Sequence, residues 1–308
     1  MITGLQTYQN NIFFKIDIKL GICIYFYVYA YYKISNSKMK GKIMEAIFYI
    51  IIFIMGITFG SFYTLAVYRI PKGEDITHTH SYCPNCNHKL NFWDLIPIFS
   101  YIFLGAKCRY CKRKIRPTYH ILETISGLFF VIIAYLMGLS IYNLEKLKII
   151  EYIFFVLYFT FIILMAGIDK ESRTINKPIL MYGVIISIMY IVYLYIIEKT
   201  SIYRYVIYLV LFIILLLLDT ITLKKHAKNN YRYSILITII IMAIFTGEYV
   251  TISSIITTLL ATSITLLVKK LKNKRTTQQY NEKVKIGLYL SIFDIIYFMA
   301  VLSFYRFI

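Results

Sequence analysis

Cys83-Pro-Asn-Cys86 and Cys108-Arg-Tyr-Cys111 stand in one basic loop, between the apolar runs 44–68 and 119–139. The short turn in each pair lets two thiolates point at the same ion, and four thiolates complete a tetrahedral zinc shell. Because such a shell has no open position, the ion in it is structural rather than catalytic. The pattern predicts a zinc knuckle on Cys83, Cys86, Cys108 and Cys111, with two disulfides or free thiols as the alternatives.

The composition is that of a membrane protein. Of the 308 residues, 59% are hydrophobic and 16% are charged, whereas soluble domains carry about 25% charged residues. A formal net charge of +19 is a feature of many nucleic-acid-binding proteins, but here the cations fall mainly between the apolar runs. Loops on the cytoplasmic side of a membrane have this distribution. We therefore expect the lipid bilayer, and not nucleic acid, to be the partner of this charge.

Eight apolar segments are candidates for membrane spans, since a spanning helix needs about 20 mostly apolar residues. The sixth segment is short, and a further tyrosine-rich stretch near 20–33 is also short. The sequence thus predicts an all-α polytopic membrane protein with about eight transmembrane helices and a cytoplasmic four-cysteine loop between the first two. The predicted spans are 44–68, 119–139, 149–168, 178–197, 203–223, 233–246, 249–268 and 285–307.

The charge of the loops predicts the orientation. Even numbers of spans separate the four basic loops, so these loops lie on one side, which the excess of lysine and arginine marks as the cytoplasm. The basic loops are 69–118, 169–177, 224–232 and 269–284.

The N-terminal region departs from this pattern, because the four lysines of residues 33–42 would lie on the outer side. This favours Met39 or Met44 as the real start over a translated extension 1–43. We divide the chain into that extension, a first unit 44–139 with the cysteine loop 69–118, and a helical unit 149–308.

Several motifs resemble, in order, those of the type IV prepilin peptidases. Gly60-Ser-Phe62 and Tyr68-Arg-Ile-Pro-Lys-Gly-Glu74 resemble the opening motifs of that family. The two cysteine pairs, Asp94-Leu-Ile-Pro97 and Glu123-Thr-Ile-Ser-Gly127 continue the match. The resemblance is dense over about 56–127 and then thins to helix count, loop positions and isolated residues.

The resemblance implies a bifunctional enzyme of the bacterial inner membrane. Such an enzyme cleaves the leader of a type IV prepilin or pseudopilin on the cytoplasmic side and methylates the new N-terminus with S-adenosylmethionine. It also implies that the cysteine-loop region serves methylation and that the later helices form an aspartyl peptidase. The expected partners are therefore a prepilin or pseudopilin and the lipid bilayer.

Asp169 and Asp219 are the predicted catalytic carboxylates, because aspartyl peptidases need two carboxylates that can share a proton. Asp169 follows the span 149–168 and resembles the family's first catalytic aspartate. The second, in a Gly-x-Gly-Asp-x-Lys motif at the start of the sixth helix, is missing, and Asn230-Tyr-Arg-Tyr-Ser-Ile-Leu236 stands there. Asp219 ends an apolar run at about the depth of Asp169 and is the best substitute. Its alternative role is a structural hydrogen bond between helices.

Other acids and other functions remain as alternatives. Glu123 resembles a family glutamate, and an ion pair with Arg116 is its alternative role. Asp294, in the middle of the last span, requires a polar partner or a water-filled cavity, and Glu248 is expected at the opposite face. Without the Gly-x-Gly-Asp motif, the chain could be a peptidase-inactive relative that retains methylation or pilin binding. A transporter with a zinc-bound loop is a third reading, although the sequence has no duplicated half.

Overall fold

The computed structural model describes residues 39–172, 177–197, 202–226, 231–273 and 285–307. Within these ranges the chain forms α-helices, short 3₁₀ turns at Ile70–Lys72 and Phe92–Asp94, and isolated β-bridges, with no strand. The helices are α1 (Met39–Arg69), α2 (Phe99–Phe103), α3 (Thr118–Leu136), α4 (Lys146–Ser172), α5 (Lys177–Ile196), α6 (Ile202–His226), α7 (Tyr231–Thr246), α8 (Glu248–Asn273) and α9 (Ile286–Phe307). The all-α prediction is confirmed: a helix coincides with each predicted span, and the short α2 lies inside the cysteine loop.

By length and composition, six of the described helices can cross a membrane: α1, α3, α4, α5, α8 and α9. Each of them contains an 18-residue window of high hydropathy with at most two charges, which a hydrocarbon core requires. The other two long helices contain shorter apolar stretches, Tyr205–Leu215 in α6 and Tyr233–Thr246 in α7. The chain is thus a multi-pass membrane protein, and the number of eight spans stays a prediction.

Helices α1 and α3 pack closely because glycines lie in their contact. A Cβ atom on Gly56 would lie 2.7 Å from the Cα of Gly127, and one on Gly60 would lie 2.7 Å from the Cα of Glu123. Small residues one turn apart commonly allow helices in membranes to approach in this way. Since the cysteine loop begins at the end of α1 and finishes at the start of α3, this helix pair holds both ends of the loop.

Helix α4 packs against α1, α5 and α9. Its Phe159 ring stacks on Phe129 of α3 with the ring centroids 3.5 Å apart. Its Thr160 shares a 2.6 Å hydrogen bond with the phenol of Tyr63 in α1. Such ring and hydroxyl contacts between helices stabilise bundles in lipid, where apolar burial alone does not drive association. They fix the last turn of α4, which carries Asp169, relative to its neighbours.

The cysteine loop and the last turn of α4 lie at the same end of the bundle. Arg116, just before α3, lies 4.0 Å from Glu171 in α4. Lys285, just before α9, donates a 2.7 Å hydrogen bond from Nζ to the carbonyl oxygen of Lys170. The ends of α1 and α4 and the beginnings of α3 and α9 therefore share one face. This agrees with the prediction that the basic loops lie on one side.

The predicted extension 1–43 lies largely outside the described residues, as do the stretch 20–33 and Cys23. Helix α1 begins at Met39 and continues through Met44, so the boundary at 44 falls within a helix. The division of the chain into three units stays a prediction.

Candidate functional site

The two cysteine pairs form turns of the same geometry. In the first turn, the Cys83 N–H donates a 3.0 Å hydrogen bond to the carbonyl oxygen of His88. In the second, the Cys108 N–H donates a 2.9 Å hydrogen bond to the carbonyl oxygen of Arg113, five residues on as before. An isolated β-bridge between flanking residues closes each turn. The Cys-x-x-Cys pattern thus produces the same local fold twice.

The two turns bring the four cysteines into one cluster. The sulfur atoms of Cys83, Cys86, Cys108 and Cys111 lie within 4.8 Å of one another, and Cys83 Sγ lies 3.9 Å from Cys111 Sγ. In a tetrahedral site with Zn–S bonds of about 2.3 Å, the sulfurs lie about 3.8 Å apart. All four side chains are free thiols. The cluster therefore has the ligands and the dimensions of a closed metal site, and the alternative of two disulfides is not what the structure adopts.

The backbone favours the thiolate form of Cys83, which is the form that binds metals. Burial raises the pKa of its thiol, but hydrogen bonds from the backbone N–H groups of Asn85 and Cys86 and from the thiols of Cys108 and Cys86 together outweigh the burial and lower the pKa to about 7.

Arg69 organises the first part of the cysteine loop. Its side chain is buried at the end of α1, and its guanidinium donates hydrogen bonds of 2.9, 3.2 and 2.9 Å to the carbonyl oxygens of Asp75, Thr79 and His80. Glu74 lies 4.0 Å away. A guanidinium with several fixed acceptors orients the chain around it. Arg69 therefore holds the segment 74–80 against α1.

Asp94 connects the segment between the cysteine pairs to the second turn. Its carboxylate accepts a 2.7 Å hydrogen bond from Arg109 Nε and one of 3.3 Å from the phenol of Tyr110. The Asp94 side chain is only 3% exposed. Burial raises the pKa of Asp94, but the hydrogen bonds from Arg109, the Asn91 N–H and Tyr110, together with the charge of Arg109, outweigh the burial, so the pKa lies below its ordinary value.

A cavity of about 220 Å³ lies between the cysteine turns and the first membrane helices. In its wall, the buried carboxylate of Glu123 accepts a 2.8 Å hydrogen bond from the Ile98 N–H. The His120 ring stacks on Tyr101 with the centroids 4.0 Å apart, and its buried Nδ1 has no hydrogen-bond partner among the described residues. The cavity also contacts Tyr68, Arg69, Cys83, Asp94 and Cys108. Carboxylates and aromatic rings around one cavity suit a small molecule with cationic and aromatic groups.

Asp169 is fully buried and is held by two other helices. The phenol of Tyr231, the first residue of α7, donates a 2.9 Å hydrogen bond to Asp169 Oδ1. The Leu288 N–H, in the first turn of α9, donates a 3.0 Å hydrogen bond to Oδ2, and the Gly287 N–H donates one of 3.1 Å to the Tyr231 oxygen. The first N–H groups of a helix lack partners within the helix and attract carboxylates. We call Asp169, Tyr231, Gly287 and Leu288 the Asp169 cradle.

The cradle leaves little room for a side chain at position 287. A Cβ atom there would lie 3.1 Å from Asp169 Oδ2 and 2.9 Å from the Cε of Met165. A side chain here would require Met165 and the Asp169 carboxylate to shift, so the glycine favours the close approach of the start of α9.

An apolar groove of about 430 Å³ runs beside the Asp169 cradle, between α1, α3, α4 and α9. Aliphatic side chains form most of its walls, among them Ile121, Ile125, Ile163, Ile292 and Ile296. Arg116, Lys170 and Glu171 lie at the end that also carries the cysteine loop. A groove of this composition suits an apolar segment whose end is polar.

The other acids that the sequence singled out lie at separate places in the bundle. Asp219 lies in α6, but its side chain is outside the described part of the structure, so its pairing with Asp169 stays a prediction. Glu123 faces the cavity at the cysteine loop rather than Arg116, which lies near Glu171 instead. Glu248 begins α8 and accepts a 2.7 Å hydrogen bond from the phenol of Tyr208.

Asp294 has the polar partners that its position in a span requires. Its buried carboxylate accepts hydrogen bonds of 2.5 Å from the phenol of Tyr158 and 3.2 Å from the hydroxyl of Thr246. It follows Leu288 by six residues in α9, which corresponds to about 9 Å along a helix. Asp294 therefore belongs to a separate polar cluster, deeper in the bundle than the Asp169 cradle.

Sequence reasoning missed Tyr231, because tyrosines near helix ends are commonly interfacial anchors. A signal was present: Tyr231 starts α7, in the segment 230–236 where the resemblance places the family's second aspartate. The Tyr231 phenol contacts Asp169. The resemblance had led us to expect the second aspartate of the family beside Asp169 instead.

Comparison with known proteins finds similarity to the same family that the sequence motifs resemble. Residues 54–137 match the family model described as the bacterial peptidase A24 N-terminal domain. Similar proteins from several bacteria carry the name prepilin leader peptidase/N-methyltransferase. The one from Vibrio cholerae is 32% identical over 46% of this chain and 57% of its own length. The one from Klebsiella pneumoniae is 26% identical over 44% of this chain and 60% of its own length. The one from Bacillus subtilis is 31% identical over 43% of this chain and 50% of its own length.

These matches cover about half the length of the relatives. No solved structure matches the chain. The matched residues 54–137 contain the second half of α1, the cysteine loop and α3, so the resemblance predicted from the motifs is confirmed for this part of the chain.

Proposed function

We propose that this chain cleaves the leader of a prepilin or pseudopilin and methylates the new N-terminus. Its residues 54–137 match the family model of the bacterial peptidase A24 N-terminal domain. The name of its relatives joins these two activities. The observation that carries the proposal is the shared face of the cysteine loop and Asp169, which the 4.0 Å approach of Arg116 and Glu171 connects. A substrate that arrives at this face of the inner membrane, the predicted cytoplasmic side, meets both sites.

Cleavage is assigned to Asp169 and Asp219. In an aspartyl peptidase, an ionised carboxylate takes a proton from the attacking water, and a protonated one donates a hydrogen bond to the scissile carbonyl oxygen. The hydrogen bonds to Asp169 Oδ1 and Oδ2 orient this carboxylate, and Asp219 is the proposed second acid. The apolar groove beside the cradle is the proposed site for the apolar part of the prepilin helix.

Methylation is assigned to the cavity at the cysteine loop. S-adenosylmethionine would supply the methyl group when bound, and the residues present fit such a molecule. The buried carboxylate of Glu123 and the ring of Tyr101 suit its cationic and aromatic groups. These side chains bind and orient the donor, while the walls of the cavity limit access of water.

Zinc is the metal assigned to the cluster of Cys83, Cys86, Cys108 and Cys111. Four thiolates leave no coordination position for water, so these residues hold the ion in a structural role. Cys83 and Cys108 also line the cavity. The cluster therefore keeps one wall of the methylation site in place.

The test uses the full-length protein in lipid nanodiscs, with a prepilin and isotopically labelled S-adenosylmethionine. The unmodified protein should cleave the leader and label the new N-terminus. Asp169→Asn and Asp219→Asn should each abolish cleavage and retain methylation of a pre-cleaved pilin. Glu145→Gln, at an exposed acid before α4, is the matched control and should leave both cleavage and methylation unchanged. Normal cleavage by Asp169→Asn would exclude the proposed peptidase site.

One observation favours a second candidate, a relative that retains methylation and has lost cleavage. Both oxygens of Asp169 already accept hydrogen bonds in a fully buried position. Tyr231 also starts the helix where the resemblance places the second acid. In the same assay, this candidate predicts labelling of a pre-cleaved pilin without any cleavage by the unmodified protein.

A further inference from the structure

Large apolar side chains are exposed along residues 92–103 of the cysteine loop, which we call the loop apolar segment. Trp93 is 69% exposed and Phe103, in α2, is 84% exposed. The exposed members are Phe92, Trp93, Leu95, Phe99, Ile102 and Phe103. A group of exposed apolar side chains of this size marks an interaction surface.

The opposite face of the same segment is attached to the protein. Ser100, Tyr101 and Leu104 line the cavity at the cysteine loop. The Ile98 N–H donates its 2.8 Å hydrogen bond to Glu123, and Tyr101 stacks on a histidine ring of α3. The segment is therefore amphipathic: one side contacts the cavity and α3, and the other side points away from the bundle.

The attachment to α3 fixes the depth of the segment. Helix α3 has 19 residues, which gives a length of about 28 Å, close to the roughly 30 Å of a hydrocarbon core. Glu123 follows Thr118, the start of α3, by five residues, so it lies about 7 Å along the helix. Interfacial amphipathic helices bury their apolar faces about 5–10 Å into the membrane surface. The hydrogen bond from Ile98 to Glu123 places α2 at this depth.

The charge beside the segment fits a lipid surface. Six cations and no acid lie between 107 and 116, namely Lys107, Arg109, Lys112, Arg113, Lys114 and Arg116. The acid within the segment, Asp94, is paired with Arg109. Clusters of lysine and arginine next to a membrane span attract anionic lipid headgroups. The exposed apolar face can therefore contact acyl chains, while the neighbouring cations contact the anionic headgroups.

We propose that the loop apolar segment inserts the exposed face of α2 into the lipid leaflet on the side of the cysteine loop. Phe99, Ile102 and Phe103 contact acyl chains, and Trp93 lies at the level of the headgroups. The inner face of the same segment then forms a membrane-embedded wall of the cavity, next to where an apolar substrate helix leaves the bilayer. The lipid contact rests on the attachment to α3 and on the flanking charge, and it does not depend on the proposed enzymatic function.

The chain has a single tryptophan, which makes fluorescence quenching a direct test. Trp93→Phe removes all tryptophan, and Phe103→Trp in that background places one on the outer face of α2. Full-length protein in liposomes with anionic lipid should show strong quenching of this residue by acyl-brominated lipids and little by aqueous iodide. Asn85→Trp in the same background, at an exposed site in the first cysteine turn, should show the reverse.

The unmodified protein provides a second measurement that requires no substitution. Trp93 should be quenched most by lipids with bromine near the headgroup and less by lipids brominated at the chain end. Quenching by iodide alone, at both Trp93 and the residue-103 probe, would exclude lipid insertion. Protection of both probes from iodide and from brominated lipid would also overturn the proposal, because a second copy of the chain would then cover the surface.

Discussion

Tyr231→Phe should weaken the Asp169 cradle while leaving the shape of the bundle unchanged. The substitution removes one oxygen atom and keeps the aromatic ring. That oxygen donates the 2.9 Å hydrogen bond to Asp169 Oδ1 and accepts the 3.1 Å hydrogen bond from the Gly287 N–H. One small change therefore breaks two of the three hydrogen bonds in the cradle.

The expected effect follows from the two bonds. A hydrogen bond to a charged group contributes about 1.5–3 kcal/mol. If the bond to Asp169 acts in the transition state, its loss lowers kcat/KM roughly 10- to 150-fold, since about 1.4 kcal/mol corresponds to a factor of ten. The Gly287 N–H also loses its partner, and a buried unpaired group costs about 1–3 kcal/mol of the free energy of unfolding. We therefore expect lower activity together with lower thermal stability.

Cleavage kinetics on a prepilin and thermal unfolding in detergent separate the two effects. Tyr182→Phe is the matched control, because its phenol donates a 3.1 Å hydrogen bond to the Leu157 carbonyl oxygen, away from Asp169. The control should lower stability without lowering kcat. Equal kinetic losses in both variants would refute a specific role of Tyr231, as would unchanged kinetics in Tyr231→Phe. In a chain without peptidase activity, the stability loss remains and there is no cleavage to measure.

Three further predictions concern the cysteine loop and its helices. Cys108→Ala should reduce the zinc content from one ion per chain to none, as elemental mass spectrometry of the purified protein would report. Gly60→Ala should destabilise the protein by about 1–3 kcal/mol through overpacking, because the new Cβ would lie 2.7 Å from the α3 backbone, and thermal unfolding measures this. Arg109 helps to hold the pKa of Asp94 below its ordinary value. The ionised Asp94 should therefore stabilise the loop above pH about 4. This stability should be lost as the pH falls from there through the pKa of Asp94 in the folded protein. Trp93 fluorescence should report this acid transition, and Asp94→Asn should abolish it.

Each of these predictions has its own control or opposing result. Cys23→Ala removes a cysteine outside the cluster and should leave zinc bound, and a full zinc content in Cys108→Ala would exclude the four-cysteine site. Thr58→Ala changes an exposed position of the same helix α1 and should be nearly neutral, so an equal loss in Thr58→Ala would exclude the packing argument. Persistence of the acid transition in Asp94→Asn would assign it to another group.

The long helices could be predicted because apolar runs of spanning length leave few alternatives. The predicted span 149–168 lies within α4, whose observed bounds are Lys146–Ser172. The additional residues, 146–148 and 169–172, are mostly charged, and a helix that projects beyond the hydrocarbon core tolerates charges at its ends. Helix α2 could not be predicted as a helix. Its five residues are too few to show a period, and its position depends on the hydrogen bond from Ile98 to Glu123.

The metal cluster could be predicted from the sequence and the Asp169 cradle could not, because only the cluster is built from local turns. The metal cluster consists of two local turns, so the spacing of Cys83, Cys86, Cys108 and Cys111 carries most of the information. The Asp169 cradle joins residues that lie 62 and 119 positions apart in the chain. No local pattern reports such contacts, so Asp169 could be proposed from its resemblance while Tyr231 and the start of α9 could not.

The packing of α1 against α3 connects the family motifs into one physical unit. Gly60 touches the backbone at Glu123, and the Glu123 carboxylate accepts the hydrogen bond that positions the loop at Ile98. The motifs 60–62 and 123–127 therefore act on the same cavity, although the cysteine loop separates them in the sequence. The Asp169 cradle draws on α4, α7 and α9, which contribute none of these contacts. A change at the start of α7, such as the tyrosine at position 231, can thus alter the peptidase half while the cysteine loop and its cavity keep their structure.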